Sequence, residues 1–172
     1  FCSLDLSAFY FDIRKDILYC DELKSPKRKV CINLLGLILD TLLKWFAPIL
    51  SFTTEEIFQI INKGKKPSVH LEDFPKIPSK WENQQLFEKW EKLKVVRNVA
   101  NAAIEIKRSN KELGSSLEAD VEIYLGTKYL NLIKNINLPE YFITSTAKAK
   151  PMIDSNKLFK LQDISDVGIL VK

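Results

Sequence analysis

A chain of 172 residues, 46% hydrophobic and 28% charged, has the length and make-up of a globular protein able to bury its own core. Its 26 basic and 22 acidic residues leave a net charge of +4, which permits a polyanionic partner without demanding one, because local clustering sets the potential. A lone His70 and three cysteines (Cys2, Cys20 and Cys31) with no C-x-x-C pair argue against a metal site, and the odd cysteine count argues against a disulfide framework.

Leu4 to Leu18 places Leu6, Phe9, Tyr10, Ile13 and Leu18 near helical spacing, with charged residues opposite, and predicts a helix. Ser25-Pro26 breaks the pattern, and Pro26 suits the first position of a new helix. From Lys27 to Phe46 the apolar residues cover nearly the whole circumference. Such a helix is expected at the centre of a bundle, covered on several sides. It is no membrane span, because Asn33, Asp40, Lys44 and Pro48 interrupt the run from Val30 to Leu50. Pro48 ends it.

Thr53-Thr54-Glu55-Glu56 has the pattern of a capping box, opening a helix that runs to Asn62. Lys63-Gly64-Lys65-Lys66-Pro67 reads as a loop, and Val69 to Trp81, with Pro75 and Pro78, as an extended segment wrapping the helices. Gln84 to Asn110 is amphipathic: Leu86, Trp90, Leu93, Val96, Ala100, Ala103 and Ile104 draw one apolar face. Lys94, Arg97, Asn98, Asn101, Glu105 and Arg108 form an adjoining polar stripe. Gly114 is the expected left-handed stop.

Beyond Gly114 the period changes. Val121, Ile123 and Leu125 alternate with polar neighbours, as in a half-buried strand. Thr127 to Asn135 suits a short helix, and 141–145, 158–161 and 168–171 are expected strands. The fold class is therefore mainly α, a helical bundle of four or five helices over residues 1–114 with a small C-terminal α+β module over 115–172. The opening Phe1-Cys2-Ser3 lacks the basic and apolar regions of a secretory signal, and both ends read as cuts through a longer polypeptide.

Three stretches carry a family resemblance. The first is Asp5-Leu6-Ser7-Ala8-Phe9-Tyr10-Phe11-Asp12-Ile13-Arg14-Lys15-Asp16, followed by Leu18-Tyr19-Cys20. The second runs from Leu43-Lys44-Trp45-Phe46-Ala47-Pro48 to Phe52-Thr53-Thr54-Glu55-Glu56-Ile57. The third runs from Val96-Arg97 through Ile104-Glu105 to Lys111, ending Leu113-Gly114-Ser115-Ser116-Leu117-Glu118-Ala119. Together they resemble the anticodon-binding region of class I isoleucyl-tRNA synthetases. The second stretch alone is shared with the valine, leucine and methionine enzymes, and Phe58 stands where many relatives carry Trp. A valyl- or leucyl-tRNA synthetase fragment is the near alternative; a helical protein–protein interaction module is the distant one.

The resemblance implies a parent ligase that attaches isoleucine to its tRNA using ATP and magnesium, with zinc in a cysteine-rich segment past Lys172. The two ATP-handling signatures of that class, His-Ile-Gly-His and Lys-Met-Ser-Lys-Ser, are absent, as the single His70 and single Met152 require. No catalytic, cofactor or metal site is therefore expected in this chain. The implied partners are the isoleucine-specific anticodon stem-loop and the catalytic domain of the same polypeptide, in a cytoplasmic monomer with no membrane contact.

An RNA loop needs cations for its phosphates and aromatic, guanidinium or amide groups for its unpaired bases. Lys94, Arg97, Asn98, Asn101 and Arg108 supply these on one helix face, Lys111 lies in the third stretch, and Arg14-Lys15 lies in the first. In this reading Arg97 and Arg108 hold phosphate while Asn98 or Asn101 contacts a base or ribose. The bland alternative is a solvated face on which Arg97 and Arg108 pair with Glu105 or Glu112, worth about 0.2–0.5 kcal/mol per pair. Asp12 and Asp16 offer Arg14-Lys15 the same fate. The Lys24/Lys27/Arg28/Lys29 and Lys63/Lys65/Lys66 clusters are secondary candidates or plain solvated loops. Trp45 and Trp90 are expected core anchors. Trp81 suits a clamp or a base stack, and Ser115-Ser116 a turn-capping pair.

Overall fold

Prolines and the apolar period set most helix boundaries in the computed structural model, which describes every residue from Phe1 to Lys172. The first predicted helix forms in two windings: a π-helical segment, Cys2–Phe11, then α1, Asp12–Tyr19. The wide winding is visible in the Leu6 amide, which donates to the Phe1 carbonyl at 3.0 Å. α2 spans Pro26–Phe46 with Pro26 in its first turn, and α3 spans Ser51–Asn62. α4 spans Gln84–Ser109, α5 Thr127–Leu130 and α6 Leu138–Phe142. The strands are β1 (Asp120–Leu125), β2 (Thr146–Pro151), β3 (Phe159–Leu161) and β4 (Ile164–Val171). The chain is thus mainly helical with one small mixed sheet. No helix is long and apolar enough to cross a membrane.

Two compact units emerge, one formed by Phe1–Ile13 with Asn83–Lys172, the other by Arg14–Glu82. The expected boundary at 114 therefore falls inside a unit. The reason is the apolar face of α4, which buries Leu93, Val96, Val99, Ala100, Ala103 and Ile104 in one core with Val121, Ile123, Leu125, Val167 and Ile169 of the sheet.

In that unit the strand order is β2-β1-β4-β3. β1 and β2 pair in parallel through the α5–α6 crossover, and the other pairs are antiparallel. The strand expected at 141–145 is instead the end of α6. Pro139 in its first turn presets the helical φ, and Ile143, at φ 57°, stops it in the left-handed region. β2, an alternation of lysines with alanines, lies outside the expected strands, and β4 is longer than 168–171. Gly114 is not the left-handed cap. Lys111 takes that conformation at φ 60°, while the Gly114 amide donates to Glu118 Oε2 at 3.0 Å. Ser115 does cap the turn that follows, accepting from the Leu117 amide.

The Arg14–Glu82 unit has a small core of Leu43, Ala47, Phe58 and Val69. Here α2 contacts α3 and the short 3-10 turn Val69–Leu71. Its expected covering on several sides is not realised: Val30, Leu37 and Trp45 are 68%, 52% and 50% exposed. Trp45 is thus no core anchor. The capping box at Thr53 is also replaced. The helix starts at Ser51, and the Ser51 and Thr54 hydroxyls donate back to the carbonyls of Ala47 and Leu50 at 3.0 and 2.9 Å. Glu55 serves the extended segment instead, accepting from the Ser68 hydroxyl at 2.8 Å and the Val69 amide at 2.9 Å. Trp81 is 56% exposed.

Candidate nucleic-acid interface

The polar stripe of α4 becomes a groove because the π-helical segment lies beside it in the same unit. Leu4, Asp5, Ala8 and Phe9 form one wall, and Lys94, Arg97, Asn98 and Asn101 the other, around an open volume of about 500 Å³. Steps of three and four residues put the α4 side chains in line. The buried face next to them holds the helix on the sheet, so the stripe stands on a rigid support.

Each groove residue has a distinct environment. Lys94 Nζ lies 2.9 Å from Asp5 Oδ1 and 2.9 Å from Glu91 Oε1. These bonds raise the lysine above its ordinary pKa, and the bond to Lys94 holds Asp5 below the usual carboxylate range. Arg97 is half-buried, with its guanidinium carbon 4.7 Å from the centre of the Phe9 ring and 5.9 Å from that of Tyr141. Its Nε is enclosed and has no hydrogen-bond partner. Burial lowers its pKa, though a guanidinium stays cationic. Burial also pushes the Tyr141 phenol up to about 12, so it stays neutral. Phe9, Trp90 and Tyr141 meet with ring centroids 5.7–6.4 Å apart, an aromatic cluster behind the guanidinium. Trp90 is accordingly the packed anchor expected of it. Asn98 and Asn101 are exposed amides on the rim.

Four of the eight candidate residues, Lys94, Arg97, Asn98 and Asn101, are thus gathered in one place. Arg108 is exposed further along α4 and pairs with Glu105 Oε2 at 2.9 Å, the bland alternative for that residue. Glu112 bonds Lys107 rather than an arginine. Lys111 sits beyond the helix in its left-handed turn, outside the groove wall. Arg14, half-buried, and Lys15, exposed, belong to the other unit and do not line this groove.

Of the secondary clusters, Arg28 Nε ties to the Leu18 carbonyl at 3.0 Å, and Lys66 pairs with Glu72 at 2.9 Å. Nowhere do three or more His, Cys, Asp or Glu side chains gather as metal ligands would. Sequence reasoning missed Asp5, the acceptor in the groove, and Tyr141, which it placed on a strand. The signal for Asp5 was available: it lies one turn before Phe9 in the first of the three family-like stretches.

The family model for the anticodon-binding domain of tRNA ligase matches residues 1–123. The isoleucine–tRNA ligase of Pelagibacter ubique (strain HTCC1062) is 54% identical over 147 residues, 86% of this chain and 16% of the relative. Those of Bradyrhizobium diazoefficiens and Mesorhizobium japonicum are 40% and 41% identical over 173 residues, 100% of this chain and 17% of each relative. The chain thus spans about a sixth of the length of the curated relatives it matches. With the groove, the three stretches and the matched 123 residues in agreement, this chain belongs to the anticodon-binding domain family of tRNA ligases.

Proposed function

We propose that this chain is the tRNA-landing region of an isoleucine–tRNA ligase, gripping the anticodon stem-loop of isoleucine tRNA while the chemistry happens elsewhere in a longer polypeptide. The observation that carries this reading is the groove of Lys94, Arg97, Asn98 and Asn101 facing Asp5 and Phe9. It brings a cation for phosphate, amides and a carboxylate for base or ribose edges, and an aromatic surface within one cleft. The relatives named above carry the isoleucine name, which favours that amino acid over valine or leucine.

On this reading the helices are the class I bundle type of anticodon-binding domain, and the parent is a cytoplasmic monomer. ATP and magnesium are handled outside this chain, as is zinc if the parent carries its cysteine-rich segment. Arg14, Lys15, Arg108 and Lys111 give further phosphate contacts outside the groove. The apolar residues exposed on α2 suit a protein partner, and the catalytic domain of the same polypeptide is the proposed one.

The test is fluorescence anisotropy of a labelled isoleucine-tRNA stem-loop titrated with this chain at rising salt. Weak binding that falls as salt rises is the expected result. Binding unchanged between low and high salt refutes the reading and favours a protein-interaction module.

A further inference from the structure

The two cations of the groove are not equivalent. Lys94 already holds two carboxylates, whereas Arg97 lies against aromatic rings, with the charge of Asp12 also acting on it. A ring engages the flat face of a guanidinium and leaves its in-plane N–H donors unspent. Nε is enclosed, so any bond that Arg97 makes to a ligand in the groove falls to its Nη groups. A carboxylate in the place of Tyr141 would fix the guanidinium equally well but would consume its charge and its donors. A buried neutral phenol does not.

Resting on the RNA-landing reading, we propose that Tyr141, supplied by α6, is a positioning residue that with Phe9 holds Arg97 as a rigid fork for one phosphodiester of the bound RNA. Tyr141 is 3% exposed and touches the groove only through this stack, so it acts through Arg97 rather than on the ligand. Its ring is fixed by Phe142, with centroids 5.1 Å apart, and by Trp90 at 5.9 Å. A freely moving arginine loses rotamer entropy on meeting a phosphate, and one already packed against a pair of rings loses less. The Tyr141 hydroxyl has no hydrogen-bond partner, so the ring and not the hydroxyl does the positioning.

The experiment is a double-mutant cycle on this chain, read as affinity for a synthetic isoleucine-tRNA anticodon stem-loop and as melting temperature. Arg97→Ala and Tyr141→Leu are each expected to weaken binding roughly tenfold, the worth of one charge-assisted hydrogen bond to phosphate. The double variant binds no worse than Arg97→Ala, since the ring works only through the guanidinium. Tyr141→Phe retains full affinity. Arg97→Lys keeps the charge but not the fork and forfeits most of the affinity. If melting shows Tyr141→Leu unfolded, Phe9→Leu, on the other ring of the stack, replaces it in the cycle with the same expectation. Losses that add in the double variant, or a folded ring variant that binds like the wild type, overturn the positioning role while leaving the RNA reading standing. A wild-type chain that binds the stem-loop independently of salt overturns both.

Discussion

Removing both stripe arginines separates binding from folding. Arg108 is exposed and its pair with Glu105 has helical i,i+3 spacing, so Arg108→Ala removes only about 0.2–0.5 kcal/mol of stability. Arg97→Ala loses ring stacking worth about 0.5–2 kcal/mol. It also relieves an enclosed, unpartnered Nε, a penalty of about 1–3 kcal/mol with the opposite sign. The net change is small, and for a chain of this size about 1 kcal/mol moves the melting temperature by roughly 2–4 °C. Binding behaves differently. Deleting one phosphate-binding cation lowers the salt slope by about 0.7–0.9, so between about 50 and 200 mM salt the wild-type advantage shrinks roughly threefold per arginine. For the double variant the shrinkage is on the order of tenfold. Anisotropy across that salt range, with a thermal melt of each variant, reads both quantities. A salt slope unchanged with both arginines gone, or a melting temperature down by about 10 °C or more with binding intact, refutes the reasoning and makes the stripe structural.

Two further outcomes follow from the cores and the sheet. Phe58, 1% exposed in a four-residue core, is expected to cost about 3–5 kcal/mol when cut to alanine. Hydrogen exchange should show the destabilisation in α3 and Val69–Leu71, and protection retained there would contradict that packing. Glu122 accepts from Lys172, Lys150 and Tyr124 at 2.6, 2.9 and 2.8 Å, which lowers its pKa from 4.5 to about 2. A depressed folded pKa means that its stabilisation is full above about pH 4.5 and is lost as pH falls toward 2. The melting-temperature gap between wild type and Glu122→Gln should therefore close over that window, and a gap constant from neutral pH down to about pH 2 would show that the carboxylate charge contributes nothing.

Much of the local structure is legible in the residues alone. Pro26 opens α2 where a proline fits, the three-and-four spacing from Leu93 to Ile104 draws the buried face of α4, and alternation from Val121 to Leu125 marks β1. That strand is not half-buried as expected, since Glu122 and Tyr124 on its other face are buried too. The failures share a cause. Residue type suggests a role for Thr53, Gly114 and Trp45, and each time neighbours decide otherwise: the Ser51 and Thr54 hydroxyls, the turn at Lys111, and the lack of cover over α2. Short strands are the hardest, since Thr146–Pro151 has too few apolar residues to be seen without the partner β1 that it lies beside.

For the groove, the primary structure by itself determined which side chains share one face of α4, because helix geometry repeats every few residues and needs no distant information. It also determined the family, through three stretches in order. Only the tertiary structure decided that Asp5 and Phe9 stand opposite Lys94 and Arg97, and that Tyr141 backs the guanidinium. Those pairings join segments far apart in the chain, and they form because Phe9 and Tyr141 pack into the same apolar core as the buried face of α4 and the sheet, a requirement of packing that no local pattern encodes.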